Sequence, residues 1–79
     1  MKIIIYTKIG CVYCQKIKDW MNEKQLPYEE IDISKVNDSI LLQEIKGVPY
    51  TIIKMQDQDI KVLGFNQTRL LEVINQLNI

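Results

Sequence analysis

The spacing of hydrophobic and polar residues along the chain changes several times, and each change predicts a new element. Residues 2–7 are rich in isoleucine and apolar on both faces, which is typical of a buried strand. From Cys14 the apolar residues recur at spacings of three and four, so this segment predicts a helix. The apolar face of that helix consists of Ile17, Trp20 and Met21.

A second strand and a second helix are predicted between the two prolines. The residue before a proline disfavours the helical conformation, so we expect Pro27 to end the first helix. Residues 28–33 then alternate, with Ile31 and Ile33 on one face, and predict a strand. Ser34 is expected to cap the second helix. The apolar stripe of this helix would consist of Val36, Ile40, Leu41 and Ile45.

The region after the second helix predicts a hairpin. Gly47 is expected to be the C′ residue of that helix, and Pro49 prevents its continuation. Residues 50–55 and 60–63 read as strands on either side of a polar four-residue turn. Two strands so close in sequence pair most simply as an antiparallel hairpin.

The last element is a helix, and it completes the order β-α-β-α-β-β-α. Gly64 breaks the preceding strand, and Asn66 can cap a helix. The apolar stripe of this helix would be Leu70, Leu71, Ile74 and Leu77. The first two strands favour a parallel pair with a right-handed crossover, and the hairpin adds antiparallel strands. We therefore predict an α/β fold with a four-stranded mixed sheet and three helices.

Length and charge narrow the class of protein. We expect residues 1–79 to form one domain, too small to enclose a flavin. Ten basic and ten acidic residues cancel without forming runs, which argues against a nucleic-acid-binding surface. No apolar stretch approaches the roughly 20 residues that span a bilayer. The N-terminal isoleucines are interrupted too early for a secretory signal, so we expect a cytoplasmic protein without a membrane association.

The chain has two cysteines, separated by two residues. A disulfide across so short a loop would add only about 2 kcal/mol of stability in the chain-entropy model. Reversible redox chemistry is therefore a better explanation than structural stapling. Three alternatives stay open: a zinc site completed by carboxylates, a metal or iron–sulfur cluster bridging two chains, and two buried cysteines without a role. A zinc site within one chain is disfavoured because there is no histidine and no further cysteine.

The position of the cysteines predicts their roles. Residues three apart at the start of a helix are close enough for a disulfide to form with little backbone movement. The free N–H groups of a helix N-terminus stabilise an anion, which lowers the pKa of the Cys11 thiol, and Lys8 adds nearby positive charge. Cys11 is thus expected to attack a substrate disulfide, and the deeper Cys14 to release the product.

Three segments resemble the glutaredoxins of the thioredoxin superfamily: residues 6–14, the Val48-Pro49 pair and residues 64–67. The chain is most similar to the short glutaredoxin-like redoxins that donate electrons to ribonucleotide reductase. The resemblance implies a thioredoxin-like fold and a glutaredoxin-type thiol–disulfide oxidoreductase. It also implies protein disulfides as substrates, ribonucleotide reductase among them, and we expect a monomer without a metal or tightly bound cofactor.

The resemblance implies a substrate-binding groove beside the cysteine pair. Pro49 would be cis, so that the backbone of Val48 faces the cysteines, and Lys8 would bind a substrate carboxylate. Plain alternatives exist: Pro49 as a helix terminator, Lys8 as a solvated charge, Tyr13 as a packing residue, and residues 64–66 as a strand-breaking turn with a helix cap. The groove residues implied in full are Lys8, Tyr13, Val48, Pro49, Gly64, Phe65 and Asn66.

The chain departs from the family pattern at two places. Val12 stands where glutaredoxins commonly have proline, and residues 63–66 stand where the family has a Gly-Gly-x-Asp segment that binds glutathione. Neutral Asn66 replaces the aspartate of that segment. The source of electrons is therefore left as either glutathione or thioredoxin reductase, a flavoprotein. A rival function is an iron–sulfur carrier, in which Cys11 of two chains and glutathione hold a cluster.

Overall fold

A computed structural model describes the backbone of residues 2–77 and the side chains of residues 2–76. The elements follow the predicted order β-α-β-α-β-β-α, with a single 3₁₀ turn, Ile33–Lys35, before the second helix. The strands are β1 (Lys2–Thr7), β2 (Glu29–Asp32), β3 (Tyr50–Lys54) and β4 (Asp59–Leu63). The helices are α1 (Val12–Glu23), α2 (Ser39–Glu44) and α3 (Gln67–Leu77).

The strands form one mixed sheet in the order β2-β1-β3-β4. β1 runs parallel to β2, with Tyr6 opposite Ile31, and antiparallel to β3, with Tyr6 opposite Tyr50. β3 and β4 form the predicted antiparallel hairpin, in which Tyr50 lies opposite Leu63. The four-stranded mixed α/β sheet is thus confirmed. Its two central strands, β1 and β3, have buried residues at consecutive positions, because both of their faces are covered.

Alternate residues of β1 enter two apolar layers, one on each face of the sheet. Ile3 and Ile5 face α1 and α3, whereas Ile4 and Tyr6 face the segment that contains α2. The first layer is completed by Ile17, Trp20, Met21, Ile53, Val62, Leu70, Val73 and Ile74. The second layer is thinner, and its buried members are Ile4, Tyr6, Tyr50 and Ile52. The larger layer holds α1, and with it the cysteine pair, against the sheet.

We expected Pro27 to end α1, but a local motif ends the helix before the proline. Gln25 adopts a left-handed conformation (φ 57°). The amide of Gln25 donates to the carbonyl of Asn22, and the amide of Leu26 donates to the carbonyl of Met21. This pair of bonds is a Schellman motif, which satisfies the last helical carbonyls before the proline is reached.

The predicted start and end of the second helix are wrong. Ser34 lies in the 3₁₀ turn, where its own amide donates to Asp32 at 2.9 Å. The N-cap is Asp38, which accepts from the amides of Ile40 and Leu41. Ile40, predicted to be in the apolar stripe, is 77% exposed. The helix ends at Glu44, so Gly47 is not its C′ residue.

The predicted cap of α3 is correct, because Asn66 Oδ1 accepts from the amide of Arg69 at 3.1 Å. Leu70 and Ile74 are buried as expected, but Leu71 is 36% exposed and the fully buried Val73 takes its place. The Leu77 side chain lies outside the described residues. None of the helices between residues 2 and 77 has the length and apolar character that crossing a membrane requires.

Candidate active site

Cys11 and Cys14 form a disulfide at the start of α1, with their Cα atoms 5.2 Å apart. That separation lies within the usual range for disulfides. Cys11 is the N-cap residue, and its Sγ accepts a hydrogen bond from the amide of Cys14 at 3.1 Å. Cys14 is 2% exposed, whereas Cys11 is partly exposed. An incoming disulfide therefore meets the sulfur of Cys11 first.

A tight turn presents Cys11 at the surface. Gly10 has a left-handed conformation (φ 82°), which favours glycine, and the amide of Cys11 donates to the carbonyl of Lys8 at 3.3 Å. Three apolar side chains surround this turn without being covered. They are Ile9 (88% exposed), Val12 (65%) and Tyr13 (59%). Exposed apolar side chains thus flank the partly exposed sulfur of Cys11 in the sequence.

The Val48-Pro49 pair lies beside the cysteines. The peptide bond between these residues is cis, as the resemblance implies. The carbonyl oxygen of Val48 is 3.9 Å from Cys11 Sγ, and the carbonyl of Pro49 accepts from the amide of Gly64 at 2.8 Å. The structure therefore brings Val48, Pro49 and Gly64 together next to Cys11, although they are distant in sequence.

The other residues implied by the resemblance have structural partners of their own. The ring of Phe65 packs edge-on against Trp20, with 6.3 Å between ring centroids. Asn66 is exposed and caps α3, and Tyr13 lies beneath the ammonium group of Lys16 at 5.1 Å. Substrate contact by Phe65, Asn66 and Tyr13 stays a prediction.

A cavity of about 600 Å³ opens on the other side of the disulfide, between α1 and β2. Lys8, named above as a substrate-binding residue, lines this cavity together with both cysteines. Its wall also carries a polar cluster that the sequence did not reveal. The Thr7 hydroxyl donates to Glu30 Oε2 at 2.7 Å, and the ammonium of Lys18 binds the same oxygen at 3.0 Å. The first contact depends on the pairing of β1 with β2 and the second on the packing of α1 on the sheet, so no local pattern could have found them.

The Glu30 cluster predicts a pH-dependent contribution to stability. Hydrogen bonds from Thr7 and Lys18 lower the pKa of Glu30 below its ordinary value of 4.5. The folded state therefore favours the carboxylate, and this contribution is present at neutral pH and is lost as the pH falls below 4.5. We expect Glu30→Gln to lower the free energy of unfolding by about 0.2–1 kcal/mol at pH 7. Urea titrations at pH 7 and in strong acid measure the difference.

The matched control is Glu29→Gln on the same strand, in a more exposed pair with Lys2 at 3.3 Å. We expect this variant to have the smaller effect, because more exposed charges interact more weakly. A loss of stability in Glu30→Gln that is as large in acid as at pH 7 would contradict the charged cluster.

No group of three or more His, Cys, Asp or Glu residues that could hold a metal ion occurs within residues 2–77. A cluster shared between two chains is a separate matter.

Comparisons with known proteins agree with this geometry. The Glutaredoxin family model matches residues 3–52, which is more than half of the chain. The N-acetyl-S-hydroxy-L-cysteine reductase of Bacillus subtilis is 35% identical over 52 residues, which cover 66% of this chain and 53% of that relative. Glutaredoxin 1 of Rickettsia bellii is 47% identical over 36 residues, or 46% of this chain and 37% of that protein.

A solved structure extends the likeness to the whole fold. The crystal structure of a thioredoxin-like protein superposes with a TM-score of 0.70 at 25% identity, covering 90% of this chain and 97% of that one. The thioredoxin-like fold is thus confirmed. The aligned regions span only about half of the Bacillus relative and about a third of the Rickettsia relative.

Proposed function

The chain belongs to the glutaredoxin family, and we propose that it is a thiol–disulfide oxidoreductase that reduces protein disulfides through Cys11 and Cys14. The observation that carries this proposal is the disulfide at the start of α1, with one sulfur partly exposed and the other buried. Such an arrangement suits a two-step exchange in which the outer sulfur attacks and the inner sulfur resolves.

The reaction consumes one substrate disulfide and the dithiol form of the protein. The Cys11 thiolate attacks one substrate sulfur, so that a mixed disulfide forms and the first substrate thiolate leaves. Cys14, as thiolate, then attacks Cys11 Sγ and displaces the second substrate thiolate. Two electrons have passed to the substrate, and the protein is left with its internal disulfide.

The surface around Cys11 supports a protein as substrate. Ile9, Val12 and Tyr13 are exposed and apolar, and a protein partner could cover them. Among protein disulfides we propose that of ribonucleotide reductase, on the resemblance to the short redoxins that serve this enzyme. We also propose that the protein is a monomer, that residues 1–79 form one domain, and that it works in the cytoplasm, where thiols are kept reduced.

The proposal for the electron donor rests on the segment that binds glutathione in other members of the family. Asn66 offers no negative charge to a glutathione amine, so we propose thioredoxin reductase as the donor. The oxidised protein would be supplied with NADPH and either glutathione with its reductase or thioredoxin reductase. We expect turnover with thioredoxin reductase. Turnover with glutathione alone would reverse the choice of donor, and turnover with neither would contradict the proposed function.

Asn66→Asp is expected to increase turnover with glutathione. An aspartate retains the cap of α3 and adds a charge that can hold an ammonium group, and charge-assisted hydrogen bonds are about twice as strong as neutral ones. The expected gain in kcat/KM for glutathione is about fivefold, which corresponds to about 1 kcal/mol. Gln67→Glu places a charge on the next residue and is expected to leave this value unchanged. An equal gain in both variants would point to general electrostatics.

A second candidate substrate is a small sulfenic acid, which the name of the Bacillus relative suggests. The cavity of about 600 Å³ beside Cys11 has room for such a molecule. Cys11 would attack the sulfur of the S–OH group, release water and form a mixed disulfide, which Cys14 would resolve. Reduction of N-acetyl-S-hydroxy-cysteine at a rate no higher than that with free dithiothreitol would exclude this candidate.

The alternative function is an iron–sulfur carrier, with the cluster as cargo. Cys11 is partly exposed whereas Cys14 is 2% exposed, so a cluster held by two chains would use Cys11 of each and glutathione for the remaining ligands. Anaerobic purification would then give a brown dimer. A colourless monomer with fast disulfide reduction would exclude this function and support the oxidoreductase.

A further inference from the structure

The loop of residues 45–49, which carries Val48, is closed at its base by three polar side chains. Glu44 is the last residue of α2, and Tyr50 is the first residue of β3. The Tyr50 hydroxyl donates to Glu44 Oε1 at 3.0 Å, and the ammonium of Lys61 on β4 forms an ion pair with the same oxygen. We call these three residues the loop clasp.

Within the loop clasp, Tyr50 is buried and Glu44 is charged. Tyr50 is 6% exposed and its ring lies 6.4 Å from that of Tyr6, so its hydroxyl has little freedom to move. Hydrogen bonds from Lys61 and Tyr50 lower the pKa of Glu44, so its carboxylate is charged at neutral pH and accepts from both partners. Burial raises the pKa of Tyr50, which keeps the hydroxyl a donor.

Apolar packing holds the start of this loop only in part, through Leu41 and Ile45, which are partly buried against the second apolar layer. No residue of α2 is buried, and Ile40 and Leu42 are 77% and 41% exposed. The hydrogen bond between Glu44 and Tyr50 joins the two ends of the loop directly, across a sequence separation of six residues. The bond to Lys61 fixes the same carboxylate to the edge of the sheet.

What the loop clasp holds in place is the backbone beside the reactive sulfur. The Val48 carbonyl lies 3.9 Å from Cys11 Sγ, and the neighbouring Pro49 carbonyl is bonded to the amide of Gly64. An extended peptide that carries a disulfide would reach Cys11 alongside this backbone. A shift of the loop would misplace the peptide relative to the sulfur without changing the cysteines themselves.

We propose that Glu44, Tyr50 and Lys61 are positioning residues, which hold the loop of residues 45–49 at the spacing from Cys11 that a peptide disulfide requires. This inference rests on the proposed function and deepens it. It separates two kinds of substrate, because a small disulfide without a peptide backbone makes no use of the Val48 backbone. The loop clasp should therefore matter for the first kind and not for the second.

The test uses the full chain, reduced and freed of reductant, in single turnovers with a disulfide-bridged peptide or with bis(2-hydroxyethyl) disulfide. Tyr50→Phe keeps the ring and removes the bond to Glu44. We expect its second-order rate constant with the peptide to fall about fivefold, the effect of one hydrogen bond of about 1 kcal/mol. With the small disulfide we expect no change.

Tyr6→Phe is the matched control, because it removes a hydroxyl from the same apolar layer but lies on β1, outside the loop. We expect it to react like the wild type with both substrates. If Tyr50→Phe does not fold, Lys61→Met on the exposed side of β4 takes its place. We expect the same result, a slower reaction with the peptide and no change with the small disulfide.

Equal losses with both substrates, or none with either, would overturn the inference. A wild-type protein that reduces neither disulfide would instead overturn the proposed function, and the inference with it. The two failures are therefore distinguishable by the wild type alone.

Discussion

Replacement of Cys11 by serine is expected to reduce disulfide reduction to the uncatalysed rate, whereas Cys14→Ser should stop the reaction after its first step. Cys11 is the partly exposed N-cap of α1, and Cys14 is 2% exposed. Only Cys11 can therefore meet a substrate sulfur directly. With Cys14→Ser the mixed disulfide should accumulate, because the thiol that releases the substrate is missing. Intact-protein mass spectrometry after mixing with a peptide disulfide measures both outcomes.

The two variants control for one another. Each replaces one sulfur by oxygen and leaves the other in place, so a general loss of folding would expose the remaining thiol and give an adduct in both variants. Accumulation of the adduct in Cys11→Ser and not in Cys14→Ser would reverse the assigned order. In that case the exposure of the sulfurs in the disulfide form would be a poor guide to the reduced form.

The sheet was predictable from sequence because its central and edge strands differ in how apolar and polar residues are distributed. β1 and β3 have buried residues at consecutive positions and take the centre of the sheet, whereas the more polar β2 and β4 form its edges. The glycine and the proline that flank the hairpin limited the possible connections. A strand buried on both faces needs apolar residues at consecutive positions. The sequence pattern therefore predicts whether a strand lies at the centre or at the edge of the sheet.

Helix ends were less predictable, because several nearby residues offer the same local interaction. Ser34 and Asp38 are comparable as N-caps. The amide of Ser34 is taken up by Asp32 in a tight turn, so the helix begins after Asp38. In the same way Gln25 ends α1 in a conformation for which glycine is the usual signal. Competing local bonds of similar strength are resolved only by the rest of the fold.

The cysteine pair was visible in the sequence, but its polar surroundings were not. Glu30 meets Thr7 because β1 pairs with β2, and it meets Lys18 because α1 packs over these strands. The loop clasp joins α2, β3 and β4 through side chains whose spacing along the chain has no period. Contacts of this kind depend on tertiary packing, and they are where the structure adds most to the functional interpretation.

The pH dependence of Cys11 alkylation should distinguish an activated thiol from an ordinary one. In the Cys14→Ser variant, the rate of reaction with iodoacetamide is expected to reach half its maximum at or below about pH 7.5, whereas a free cysteine does so near 8.5. The reason is local: the sulfur accepts the Cys14 amide at 3.1 Å at the start of α1. The unbonded amides of the first helical turn favour a negative charge at this place. Serine at position 14 retains this backbone amide.

The midpoint is a better measure than the rate itself, because a thiolate with a lower pKa is also a weaker nucleophile. Lys8→Met separates the two sources of positive potential, since Lys8 lies before the helix while the amides lie within it. If the amides dominate, the midpoint in Lys8→Met should stay close to that of the parent variant. If it moves towards that of free cysteine, Lys8 carries the effect. A midpoint near 8.5 in the parent variant itself would mean that α1 does not activate Cys11, and the proposed chemistry would lose its physical basis.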